Sequence, residues 1–306
     1  MNIAKQDFID NEIRNICYLI TPVSSGSSVG YTLRKTGELL GDIYKIFVNS
    51  ELKPDVMQFV LDHEFGHVIF GHMNNDALNE ALATISVETR NQWMTEATDR
   101  STGDTSTTTS VPSVVPTDSS LPVLTVGLEC DYAPFNWTET KANDFTYPIK
   151  GASEFADGYD IQMARYLAAT MNYRLEIVKL DWNSLIPALD TGTVNAVIAG
   201  MTDTAERRQS IDFSNEYYVS ELVLIVKKDS KYASATSLND FSGAKIVSQT
   251  STVTDDVIED WKTQFNVTHL NALDTFATCA MAVQNGTADA MTAELPVANA
   301  IVRGSK

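Results

Sequence analysis

Between Thr98 and Ser120 the chain reads TDRSTGDTSTTTSVPSVVPTDSS, a stretch with no aromatic residue and no helical period. Such a composition buries too little apolar surface to offset the entropy lost on ordering, so it predicts a disordered Ser/Thr/Pro linker over 98–120. A break of this kind divides the chain into a part at 1–97 and a part at 121–306. A length of 306 residues with 43% apolar content is enough to give each part its own core.

Charge and cysteine usage narrow the partners. Forty acidic against 22 basic residues leave a formal charge of −18, which repels nucleic acid and anionic membrane and points to small solutes. Cys17, Cys130 and Cys279 are scattered and odd in number, and read as packing residues rather than as a disulfide framework or a metal cluster. No run approaches the ~18 apolar residues of a membrane-spanning helix. The first residues lack a basic start followed by an apolar signal core, which places the chain as written in the cytoplasm.

After the tract, short buried strands alternate with helices: LTVGL, GYDIQMARYLAATM, YRLEIVKL, WNSLIPALDTG and VNAVIAG. This is the βαβ pattern of an α/β fold with a parallel sheet. A free amino acid presents a carboxylate and an ammonium on one carbon, so a site for it needs a fixed cation, a fixed anion and backbone donors. Gly200 to Arg208, GMTDTAERR, supplies candidates at a strand's C-terminal end: Thr202 can donate to an anion, and an arginine follows one turn later with a planar fork suited to a carboxylate. On residue type alone, the same arginine also fits a solvated first turn of a helix.

The stretch GYDIQMARYLAATMNYRLEIVKLDWNSLIPALDTGTVNAVIAGMTDTAERRQSIDFSNEYY resembles the core of the bacterial solute-binding protein family 3, the amino-acid-binding proteins of ABC transporters. The likeness begins at VGLECDYAPFNW, continues through SLNDFSGAKIVSQTSTVTDDVIEDW and holds at ADAMTAELPVA, spanning residues 121–303. It implies a periplasmic-binding-protein-like fold of two α/β lobes, 121–226 and 227–306, closing on a free amino acid, with an ABC permease as partner if the domain is exported. By resemblance, Arg207 with Gly200 and Thr202 takes the α-carboxylate, helped by Thr252 from the second lobe. Glu294, where the family usually has Asp, takes the α-ammonium. Tyr132 and Trp182 sandwich the ligand, and Glu129 faces its side chain, which leans toward a polar or cationic ligand.

The sequence departs from the family in two places. Ser251 stands where a Q-x-G-T motif has glycine. The family's chain also returns from the second lobe to complete the first, whereas this one stops at Lys306 soon after PVANAIV. The first lobe is therefore expected to be incomplete, with an open sheet edge, exposed apolar surface and weakened stability.

Before the tract, Phe8, Ile9, Ile13, Ile16 and Ile20 recur at helical spacing, Asp42 to Asn49 reads as a strand, and Asp55 to Phe70 as a second helix. His63-Glu64-Phe65-Gly66-His67 is an H-E-x-x-H match inside that helix. Positions four apart share a helix face, so both imidazoles can reach one Zn²⁺ while Glu64 acts as general base. Glu80 on the next helix is the expected third ligand, with His72 the alternative if the helix breaks near Gly71. This arrangement resembles the gluzincin metallopeptidases, which implies a small α+β zincin-like domain whose Asp42–Asn49 strand pairs with an extended peptide. Three readings follow for the whole chain: a solute-binding module joined to a peptidase, a peptidase with a non-functional binding domain, or a chimaeric join with neither half active.

Overall fold

The structure, a computed structural model, describes residues 18–25, 28–35, 43–46, 65–70, 75–104, 106 and 108–304, with side chains from Asp76 onward. The chain divides into two units, Met1–Asp62 and His63–Lys306. In the first, β1 (Tyr18–Ser25), β2 (Ser28–Lys35) and β3 (Ile43–Ile46) form an antiparallel meander in the order β1-β2-β3. The strand expected at Asp42–Asn49 thus meets β3. Ile20, expected at the end of a helix, lies in β1.

The second unit begins with β4 (Phe65–Phe70), α1 (Asn75–Ala83) and α2 (Val87–Ser101). Next come β5 (Val123–Leu128), β6 (Asp131–Tyr132), β7 (Asn136–Glu139), β8 (Tyr147–Pro148) and β9 (Phe155–Asp157). The βαβ pattern read from sequence continues as α3 (Tyr159–Thr170), β10 (Arg174–Lys179), α4 (Leu185–Asp190) and β11 (Ala196–Thr202). After β12 (Asp212–Val219) the chain crosses to β13 (Leu222–Val226). The remainder is β14 (Lys245–Val247), α5 (Val253–Phe265), β15 (Thr268–His269), α6 (Phe276–Asn285), β16 (Ala290–Glu294) and α7 (Leu295–Gly304).

Two sheets define two lobes. The first is ordered β10-β5-β11-β4-β12 and the second β13-β16-β14-β15, with a small antiparallel sheet β6-β7-β9-β8 beside the first. The lobe boundary expected after residue 226 falls earlier, because β13 pairs with β16 rather than with any strand of the first sheet.

The expectation of an open first lobe is corrected by β4. It lies antiparallel between β11 and β12, so residues upstream of the Ser/Thr/Pro tract complete the sheet. The helix expected over Asp55–Phe70 is corrected with it, since Phe65–Phe70 is a strand. The run FGHVIF has the length and continuous apolar character of a strand covered on both faces, and periodicity does not separate such a run from a buried helix.

α1 and α2 follow β4 onto the same lobe. Leu78, Leu82, Ile85, Met94 and Ala97 belong to one core with Leu124, Val126, Ile161 and Leu167. Polar contacts fix the alignment: Asn215 N donates to Asn79 Oδ1 at 2.7 Å and Arg90 Nη1 to Glu216 O at 3.0 Å, both reaching β12. Arg100 forms a two-pronged pair with Asp157, Nη2 to Oδ1 at 2.9 Å and Nε to Oδ2 at 3.3 Å, with side chains only 5% and 2% exposed.

The tract expected to be a disordered linker also departs from expectation. Thr98 to Ser101 form the last turn of α2. Thr109 N and Ser110 N donate to Glu96 Oε1 at 2.9 and 3.1 Å, Arg165 Nε donates to Ser113 O at 3.2 Å, and Val115 is buried. Composition measures what the tract can bury by itself, and misses the carboxylate and guanidinium that receive its backbone. Among the described residues no helix is long and apolar enough to cross a membrane.

Candidate functional site

The parallel strands β5 and β11 end at the same edge of the first sheet, where ligands of open α/β sheets bind. Glu129 follows β5 directly and Thr202 closes β11. From the second sheet, Glu294 closes β16, and the loop after β14 carries Gln249, Ser251 and Thr252 into the N-terminus of α5. These edges face one another across the β12–β13 crossing. One cavity between them is lined by Glu129, Tyr132, Trp182, Gly200, Thr202, Arg207, Thr252 and Glu294, the eight positions singled out from sequence. Gln249, Thr254 and Phe276 also line it and were not assigned a role from sequence.

Local chemistry explains each placement. Gly200 has φ +60, a conformation that favours glycine, and a Cβ there would also press on the Tyr132 ring at 3.2 Å. Its N–H donates to Tyr217 Oη at 2.8 Å, and Tyr217 in turn donates to Asp160 Oδ1 at 2.8 Å. Burial pushes the Asp160 carboxyl up to about 7, opposed by bonds from Tyr217 and Asn136. Tyr132 stacks on Phe135 with ring centres 5.2 Å apart and meets Phe276 of the second lobe at 4.8 Å.

Arg207 is drawn inward by two carbonyls, Nη1 donating to Thr202 O at 2.7 Å and Nη2 to Ser251 O at 3.2 Å. Burial lowers its pKa, while Asp256, Glu206 and Asp203 act against that shift. The Trp182 ring lies 5.6 Å from the guanidinium, and its Nε1 donates to the same Ser251 O at 3.0 Å. Ser251 adopts φ +57, a left-handed conformation that suits the glycine it replaces. Thr252 caps α5 and donates its hydroxyl to Gln249 O at 2.6 Å. What it retains for an anion is the backbone N–H side of a helix N-terminus, whose dipole favours negative charge.

Glu294 accepts a hydrogen bond from Tyr132 Oη, a bond that joins the lobes. Burial raises the pKa of both groups. Glu129 is joined across the cleft to Gln249, whose Nε2 donates to Oε1 at 2.7 Å. The structure thus holds the lobes together through Tyr132–Glu294, Gln249–Glu129 and the shared Ser251 carbonyl. This cavity holds about 20 Å³ of free space, room for a water rather than an amino acid. A more open space of about 410 Å³, lined by Glu206, Ser251 and Asp256, shares Trp182, Arg207 and Val253 with it.

A two-lobed α/β unit whose sheets jointly line a polar, aromatic cavity is a solute-binding clamshell. The chain belongs to the bacterial extracellular solute-binding proteins, family 3, whose sequence profile matches residues 124–293. It is 34% identical over 123 residues to the arginine-binding extracellular protein ArtP of Bacillus subtilis, covering 40% of this chain and 42% of that protein. It is 28% identical over 170 residues to the glutamine-binding protein GlnH of the same organism, covering 55% and 58%. The chain therefore spans about half the length of these curated relatives. Among solved structures, an ancestral arginine-binding protein bound to arginine matches with TM-score 0.51 and 29% identity, over 59% of this chain and 74% of that one.

Of the residues expected to bind zinc, His63, Glu64 and His72 fall outside the described residues, and His67 lies in strand β4 rather than in the expected helix. Glu80 is exposed on α1. The helix expected to carry Glu80 is α1, which stops at Ala83 before Ser86 caps α2 by accepting from Thr89 N at 3.1 Å. Among the described residues no three metal-binding side chains cluster.

Proposed function

We propose that residues 63–306 capture a free amino acid outside the cytoplasm and deliver it to the permease of an ABC importer. One observation carries this reading: Arg207 from the first lobe and Glu294 from the second line a single cavity. A guanidinium and a carboxylate on opposite walls match the two charges of a zwitterion. Thr202 and the α5 N-terminus add donors on the carboxylate side. In this reading the arriving carboxylate replaces the carbonyls that Arg207 now holds, and the ammonium replaces the Tyr132 hydroxyl on Glu294. The ligand then bridges the lobes and favours the closed form by its differential contacts. No covalent step is needed.

The relatives named for arginine and glutamine support the class of ligand, and the family's extracellular setting supports the location. Isothermal titration of the whole chain against the common amino acids is expected to give one or a few micromolar or tighter ligands. Arg207→Ala should weaken binding about 100-fold or more, the scale of a buried charge-assisted pair. Absence of binding to every amino acid by a folded protein would refute the reading.

A further inference from the structure

His269 on β15 meets two carboxylates of α5. Its Nε2 lies 2.8 Å from Asp255 Oδ1 and its Nδ1 3.0 Å from Glu259 Oε2, with the side chain 16% exposed. Asp255 and Glu259 are one helical turn apart, so the ring grips α5 at two points of one face. A neutral imidazole carries a single N–H and would turn a lone pair toward one of the two carboxylates. Only the imidazolium donates to both. The two nitrogens meet separate carboxylates, and among the described residues these groups form no metal cluster.

What this grip holds is one wall of the ligand cavity. Thr252, Val253 and Thr254, the cap and first residues of α5, line it, and Asp255 N donates to Thr252 Oγ1 at 3.3 Å within the same turn. Asp255 and Asp256 also put two negative charges in that first turn, where they repel a carboxylate arriving at the helix N-terminus. Arg207 attracts Asp256, and His269 answers Asp255.

The groups around the ring favour its charged form. From α5 come Asp255 and Glu259, with Asp256 in electrostatic reach and Lys262 bonded to Glu259 at 2.9 Å. From β14, apolar Ile246 is in register with His269, and Lys245 with Thr268. From α6, Cys279 lies near Asp255, its thiol neutral because burial pushes it up to about 12. Desolvation lowers the His269 pKa, but the bonds to Asp255 and Glu259 outweigh it and leave the value above the ordinary one.

We propose that His269, as imidazolium, is a positioning residue for ligand binding: it holds the first turn of α5 against β15 and cancels the charge of Asp255, so that the ligand's α-carboxylate can dock at that helix end. This rests on the amino-acid-binding reading and gives it a pH dependence. The clamp is fully present below the ordinary histidine value of 6.5 and is lost as pH rises through the raised folded value. Ligand affinity falls with it.

NMR of the full chain, with the His269 signal assigned by its loss in His269→Gln, should give an imidazole midpoint above 6.5. Calorimetric titration with L-arginine and L-glutamine at pH values on both sides of that midpoint reads the coupling. Glu129 and Asp160 both stand near 7, so each variant is compared with the unaltered protein at the same pH. His269→Gln should weaken binding about three- to tenfold below the midpoint, the scale of one charge at a helix end. The deficit should shrink above it. Adding Asp255→Asn to His269→Gln should restore the affinity, which a merely structural loss would not allow. Asp255→Asn alone leaves the ring untouched and should bind more tightly than the unaltered protein above the midpoint. A midpoint at or below 6.5, or a His269→Gln deficit equal on both sides of it, would overturn this inference and leave the amino-acid reading standing. No binding of either probe, or of any other common amino acid, by the folded protein would overturn the reading beneath it.

Discussion

Arg100 lies 24 residues before the solute-binding profile match begins at residue 124, yet its guanidinium is locked onto Asp157 inside the first lobe. Arg100→Ala tests whether the residues from β4 to α2 belong to the binding domain. The substitution removes two charge-assisted bonds, at 2.9 and 3.3 Å, and the contact of the guanidinium with the Phe145 ring at 4.2 Å. The Asp157 carboxylate, almost wholly buried, keeps among the described residues the Gly158 N–H at 2.6 Å. Stranding a buried charge in this way costs about 3–5 kcal/mol. At ~2–4 °C per kcal/mol for a domain of this size, the melting temperature should fall on the order of 10 °C. Circular dichroism melts and urea titrations at pH 7 read the change. The pair Arg100→Met with Asp157→Leu should recover most of it, since an apolar pair of similar volume leaves no charge behind. A loss under about 0.5 kcal/mol for Arg100→Ala, the size of an ordinary surface change, would show that α2 is not part of the lobe.

Two further outcomes follow from the site. The Glu129 carboxyl stands at about 7 in the folded protein against an ordinary 4.5, so ionising it costs the empty protein stability. That cost is absent below pH ~4.5, grows up to about 7 and is constant above, reaching on the order of 3 kcal/mol at ~1.4 kcal/mol per unit. Glu129→Gln should therefore gain on the unaltered protein between those limits in denaturant titrations at pH 4.5 and 8, and parallel pH profiles would refute this. Ser251→Gly should stabilise by about 0.5–1 kcal/mol in the same assay, because glycine adopts φ +57 without the crowding a Cβ meets there; a loss of stability would mean that the serine hydroxyl contributes more than the strain.

Legibility followed the range of the interactions involved. β5, α3, β10 and β11 were readable because each carries its own period and length, and a local rule decides them. The eight cavity residues were readable through family likeness, and the structure gathers them from loops up to 165 residues apart, Glu129 to Glu294. β4 was not readable, since FGHVIF becomes a strand only by entering between β11 and β12. The Thr98–Ser120 tract failed for the same reason: Glu96 and Arg165, which receive its backbone, lie outside the window that composition samples. Gln249 was visible inside its motif, but its bond to Glu129 joins positions 120 residues apart, and no local signal announces it.

A crystal structure with the tightest amino acid from the calorimetric screen tests the zwitterion clamp most directly. The α-carboxylate should lie within hydrogen-bond distance of the Arg207 guanidinium and the backbone N–H groups at the start of α5, with the α-ammonium on Glu294 in place of Tyr132. A ligand held outside the two lobes, or turned so that its ammonium faces Arg207, would contradict the account.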